Sequence, residues 1–170
     1  MFKNLIFSFM AINFFGFTTS YAREDIEGSK DHPMISRYEG SYIRGYEHYD
    51  YDRLTFYTKK DGNLEEIEPE GKAMRILYFL PAEGLSVLQV QRNYQQALTD
   101  GGFEMVYECF GGKDEIPRDI YRDFDTISGD YSKNVFTGKD QSYFFAKLSQ
   151  EDGDVYISAH TLPGEWAVEC

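Results

Sequence analysis

The chain has 170 residues, a formal net charge of −12 and 17% aromatic residues, 14 of them Tyr. An acidic chain without a basic stripe argues against nucleic-acid binding and against electrostatic attachment to anionic lipid. Tyr serves half-wet sheet faces and recognition surfaces alike, so the aromatic content excludes nothing.

In chain order, Lys3 is followed by an almost wholly apolar run, Leu5–Phe17, and then by Ser20-Tyr21-Ala22. That is the pattern of an export leader cleaved after Ala22. The apolar run is shorter than the roughly 20 residues needed to span a bilayer, so an uncleaved anchor is the weaker reading. The expected organisation is therefore a signal peptide at 1–22 and a single exported domain at 23–170. About 150 residues suffice for one real core.

Arg23–Pro33 is polar, broken at Gly28-Ser29, and reads as extended. Ser41–Tyr46 and Arg53–Thr58 read as strands with a bend at Asp50-Tyr51-Asp52. Lys60-Asp61-Gly62-Asn63 is a hairpin signal, because Asp-Gly accepts the positive φ of such turns. Pro69-Glu70-Gly71 is read as a further turn leading into the strand Met74–Leu80.

The helix that follows is the best-specified element. Ser86 and Gln89 form a capping box, with Leu85 and Val90 placed for a hydrophobic staple. Val87, Val90, Tyr94, Ala97 and Leu98 make an apolar stripe, with Gln91, Arg92, Gln95 and Gln96 expected to turn outward. Gly101-Gly102 can end the helix, and Phe103–Phe110 reads as a buried strand. Beyond it, Ile116, Ile120, Phe124 and Ile127 recur at helical spacing behind Pro117, giving a short second helix over Pro117–Thr126. Ser128–Lys139 is a loop by composition. Tyr143–Leu148 and Val155–Thr161 form a hairpin across Asp152-Gly153, Leu162-Pro163-Gly164 turns again, and Trp166-Ala167-Val168 begins a last strand. The expected class is α+β: an antiparallel or mixed sheet of about six to eight strands, one main amphipathic helix and a short second one.

Two cysteines in an exported chain admit one disulfide, Cys109 to Cys170, or two unpaired thiols. Such a bridge needs Cα atoms within about 7 Å. Cys170 closes a strand-like stretch without a turn or cap, which raises the expectation of a continuation beyond it.

The chemistry-bearing residues are sparse. His32, His48 and His160 are far apart, and none sits in a metal-ligand pattern, so no metal is expected. Asp31-His32 could pair a carboxylate with an imidazole, although adjacent residues usually point apart and a polar cap or turn reads as well. His48 with Asp50 and Asp52 lacks the Gly and terminal Glu of a calcium loop. Asp123 and Asp125 fall on different faces of the expected second helix. There is no nucleophile elbow, phosphate loop or dinucleotide fingerprint, so no catalytic residue is named and no cofactor is expected.

Gly28-Ser29-Lys30-Asp31-His32-Pro33-Met34-Ile35-Ser36-Arg37-Tyr38, then Gly40-Ser41, carry a resemblance. With Arg92-Asn93-Tyr94, Ala97-Leu98, Gly102-Phe103-Glu104 and Gly153–Ser158, this chain resembles an exported domain found ahead of OmpA/MotB-type peptidoglycan-binding domains in Gram-negative bacteria. The resemblance implies a periplasmic or outer-membrane-associated location and brings no mechanism. Members of that family carry a second Cys soon after the one matching Cys109, and Phe110–Pro117 has none. The Asn-x-x-Leu-Ser-type peptidoglycan motif is also missing, so peptidoglycan or outer-membrane partners would be reached through a continuation of the chain. Three functions are expected in turn. The first is a non-enzymatic envelope interaction module contacting its partner through Asp31, His32, Arg37 and Tyr38. The second is a periplasmic hydrolase or enzyme inhibitor around Asp31-His32, and the third a spacing unit of an OmpA-type protein.

Overall fold

In the computed structural model of the protein, residues 24–80, 85–111, 140–163 and 165–169 are described. The expected leader, the second helix at Pro117–Thr126, the loop Ser128–Lys139 and Cys170 lie outside the described residues. The described residues form eight strands and one helix: β1 (Tyr42–Arg53), β2 (Phe56–Lys60), β3 (Asn63–Ile67), β4 (Glu70–Phe79), α1 (Val87–Asp100), β5 (Glu104–Gly111), β6 (Gln141–Gln150), β7 (Gly153–Leu162) and β8 (Glu165–Glu169). This is an α+β fold. Six strands make one antiparallel sheet in the order β1-β4-β8-β7-β6-β5, and β2-β3 pair as a separate hairpin. No described helix is long and apolar enough to cross a membrane.

The sheet is covered on both faces, and the sequence of β6 shows why. Tyr143, Phe144, Phe145 and Ala146 are consecutive and all at most 1% exposed. Successive strand residues point to opposite faces, so an unbroken apolar run requires a layer on each side. Phe144 and Ala146 join Ile76, Tyr78, Ile157 and Ala159 beneath Val90, Tyr94 and Leu98 of α1. Tyr143 and Phe145 join Leu77 and Ala73 against Phe56 and Tyr57 of the β2-β3 hairpin. Each fully buried aromatic contributes roughly 2–3 kcal/mol of apolar transfer. Aromatic contacts fix the hairpin side: Phe56 lies 5.1 Å from Phe145, and Tyr57 meets Tyr143 edge-on at 6.3 Å. The Tyr57 amide also donates to the Tyr143 hydroxyl at 2.9 Å.

Local signals held where they were expected to act. Asp61 and Gly62, at φ 51° and 82°, form the β2-β3 turn. Ser86 caps α1, its side chain accepting from the Gln89 amide at 3.1 Å. At the far end Phe103 donates its amide to the Leu98 carbonyl at 2.9 Å, and the positive φ of 86° falls on Gly102.

Three expectations are corrected. Asp50-Tyr51-Asp52 is not a bend; β1 runs through it, with the register shift against β4 between Tyr49 and Asp52 absorbing the misfit. Glu70-Gly71 opens β4 instead of turning, because Glu70 pairs with Arg53 across the ladder. On α1, Gln91 and Gln95 are buried at 1% and 8% exposure, while Ala97 is exposed. Gln95 is drawn in by the Glu108 carboxylate on β5, which accepts from its amide.

Gly102→Ala, which forces a side chain into the left-handed region, is expected to cost about 1 kcal/mol. A urea melt with an unchanged midpoint would contradict this account of the α1 terminus.

Candidate functional site

The segment ahead of β1 is held by one guanidinium. Arg37 Nη1 and Nη2 donate to the two oxygens of Asp25 at 2.7 Å each. Its Nε donates to Asp31 at 2.8 Å, and its Cζ lies 5.8 Å over the Tyr78 ring. Asp25 in turn accepts from the Ile43 amide at 2.8 Å, and Asp31 accepts from the Tyr78 hydroxyl at 3.0 Å. Hydrogen bonding to Arg37 holds the Asp25 carboxyl below its usual range, and the two carboxylates raise the Arg37 pKa. The bidentate fork suits Arg and not Lys. The clamp fastens the segment to β1 and β4, and Ile35 enters the helix-side core.

Asp31 and His32 therefore do different work. Asp31 belongs to the clamp. His32 accepts at Nδ1 from the Met34 amide at 3.2 Å, which leaves the proton of the neutral ring on Nε2. Burial lowers its pKa to about 4, so the imidazole is uncharged near neutrality. Tyr38 packs against the helix-side core, and its carbonyl accepts from the Ser41 hydroxyl at 2.6 Å.

His32 lines a groove of about 530 Å³. Its walls bring together His32 and Met34 of the clamped segment, His48 and Asp52 of β1, Leu54 and Phe56 at the entry to β2, Glu70–Met74 of β4, and Gln150 with Asp152–Tyr156 at the β6-β7 turn. Two of its carboxylates are engaged. Glu70 accepts from Tyr51 at 2.7 Å and from Arg53 at 2.8 Å, and these partners lower its pKa, Tyr51 first. Asp154 accepts from Lys147 at 2.8 Å and Tyr156 at 3.1 Å, and the lysine lowers its pKa. Tyr156 stacks on Phe145 at 6.1 Å and 14°, which fixes that wall.

Of the residues singled out in the sequence, His32, His48 and Asp52 all line this groove. Asp31, Arg37 and Tyr38 support it without lining it. Sequence reasoning missed Lys72, Met74, Val155 and Tyr156, which arrive from strands remote in sequence, and Met34, two residues from His32 in the clamped segment. His160 lies elsewhere: it is 2% exposed, bonded to Gln141 at 3.2 Å, with its pKa pushed down to about 3 by burial. Among the described residues, no group of three His, Cys, Asp or Glu could hold a metal ion. Cys109 is a free, half-buried thiol whose pKa is raised by burial. It sits on β5, three strand positions from β8, and three spacings of about 4.8 Å come to roughly 14 Å. No protein-family model and no curated protein sequence matches the chain.

Arg37→Lys is expected to lose about 1 kcal/mol, since the clamp is partly solvent-screened, and to speed exchange of the Ile26 and Ile43 amides. Unchanged exchange at both would show that the clamp does not hold the segment. Acid sensitivity follows from the histidines. The folded protein takes up these protons only near pH 4 and 3, whereas an unperturbed His binds one at 6.5. Their stability contribution is thus complete above pH 6.5 and is lost as pH falls toward those lower values. His160→Gln should flatten the fall in stability between pH 6.5 and 4.5 by about 2 kcal/mol; parallel curves for the two proteins would refute it.

Proposed function

We propose that this chain is a non-enzymatic interaction module of the cell envelope, exported by its leader, which recognises a partner through the groove beneath His32 and His48. The observation that carries this reading is the groove's composition. Neutral His32, Met34, Met74 and Tyr156 offer apolar and hydrogen-bonding surface over buried Leu54 and Phe56, and Glu70 and Asp154 are committed to ion pairs with Arg53 and Lys147. Such a lining favours binding over proton transfer. Met34 stands 43% exposed beside it, and exposed methionine adapts well to a docked surface. Asp31, committed to Arg37 and Tyr78, is poorly placed to serve as a general base for His32, which weighs against the hydrolase alternative. The resemblance to the domain ahead of OmpA-type modules supports the periplasmic, outer-membrane-associated setting. Peptidoglycan contact would belong to an OmpA-type continuation, not to this groove.

A photoreactive residue at Met34 should capture an envelope component in cells producing the protein, and one at exposed Leu88 of α1, which does not line the groove, should not. Equal capture at both positions, or none at Met34, would defeat the assignment of the groove.

A further inference from the structure

The wall of the groove that carries His32 and Met34 is a loop with a narrow neck. The Ile26 amide donates to the Ile43 carbonyl at 3.1 Å, and Asp25 accepts from the Ile43 amide, so the loop begins and ends at one point of β1. Just inside the neck, Gly28 and Gly40 hold φ of 81° and 78°, a left-handed turn at each end. A compact surface loop whose ends meet in this way can move against the body without disturbing the strands beneath it.

Between the two glycines the chain belongs to no strand or helix. Its backbone hydrogen bonds close within three residues, Ser29 to Ile26, Ile35 to His32 and Ser41 to Tyr38, and none of these is a ladder bond. Ile35 is the one buried side chain of Ser29–Glu39. Side chains do the fastening. Ile35 enters the helix-side core with Tyr38 packed against it, Asp31 accepts from the Tyr78 hydroxyl, and the Arg37 fork ties the loop to Asp25 at the neck. Both members of that fork are open to water, at 26% and 35% exposure. The sheet below is held differently: Ala159 is wholly buried and paired with both Phe144 and Val168. A segment with few buried apolar side chains and water-exposed ties opens at a lower free energy than the ladder it rests on.

We infer that Ser29–Glu39 is a gating strap, closed at rest: it swings out as a unit about Gly28 and Gly40, draws Ile35 from the helix-side core and carries away the His32–Met34 wall of the groove, with Arg37 as its latch. An occupant that touches Met34 favours the closed form, because the open form lacks that contact. This consequence rests on the groove being the binding site. The opening itself does not, and it is tested without any groove ligand.

The test uses buried cysteines as reporters in the protein carrying Cys109→Ser and Cys170→Ser. Ile35→Cys reports on the strap and Ala159→Cys on the sheet, and a thiol reagent in native buffer reads the labelling rate of each. Ile35→Cys is expected to label roughly tenfold faster than Ala159→Cys, or more. Adding Arg37→Met should speed the Ile35→Cys reaction about fivefold, the equivalent of about 1 kcal/mol, and leave Ala159→Cys unchanged. Equal rates at the two positions, or equal acceleration of both by Arg37→Met, would mean that the segment opens only with the whole fold and would overturn the strap. No acceleration at Ile35→Cys would remove Arg37 as its latch. Because Ile35→Cys shortens the side chain that plugs the core, Arg37→Met is also made alone. Amide exchange should then quicken about fivefold at Ile35 and stay constant at Ala159, and a parallel change at both would again overturn the inference.

Discussion

The pairing of β8 is the constraint on which the rest of the molecule depends. β1 and β4 form one ladder, β5, β6 and β7 another, and among the described residues Glu165–Glu169 joins them. The short strand is antiparallel to both neighbours, so β4 and β7 run parallel to each other without needing a crossover between them. Two separate half-sheets would each expose an apolar face to water. Joined, they present one surface wide enough for α1 on one side and the β2-β3 hairpin on the other. The tertiary core is thus conditional on five residues near the end of the described chain, a pairing of high sequence separation for β4.

The groove draws its floor and walls from separate elements. Its floor is the hairpin-side core, where Leu54, Phe56 and Ala73 are at most 3% exposed. The walls need independent support there, and each has it. On one side Arg37 gathers Asp25 and Asp31 and ties the His32 segment to Ile43 and Tyr78. On the other, Tyr156 is stacked in an aromatic cluster while its hydroxyl and Lys147 hold Asp154. Binding to walls already held in place loses little conformational entropy from the protein, leaving the ligand's own ordering as the main cost.

What was legible in the sequence were elements specified within a few residues of themselves. Ser86 and Gln89 cap α1, Asp61-Gly62 turns one hairpin, and Tyr143–Leu148 pairs with Val155–Thr161 across the Asp152-Gly153 turn. What was not legible depended on partners far away. β1 continues through Asp50 to Asp52 because β4 pairs with it, yet the same residues in isolation have the polarity of a turn. Gln95 turns inward only because Glu108 waits on β5. The candidate site divides in the same way. His32 and Arg37 stand out in one polar segment, but nothing local indicates that Arg37 reaches Asp25 or that His32 and His48 line one groove. A groove lined from the clamped segment, β1, β4 and the β6-β7 turn has no motif at all, because its walls come together only in the fold.

An open strand edge is usually a hazard, since one added strand exposes a new edge for the next. The outer edge at β1 is defended in the ordinary way: the exposed stretch His48–Tyr51 includes Asp50, and charged Glu47, Asp52 and Arg53 flank it. The opposite edge, β5, carries exposed Glu104 and Glu108, and Glu108 accepts from Arg92 and Gln95 of α1. Both outer edges of the sheet thus carry charge that discourages pairing with a further strand.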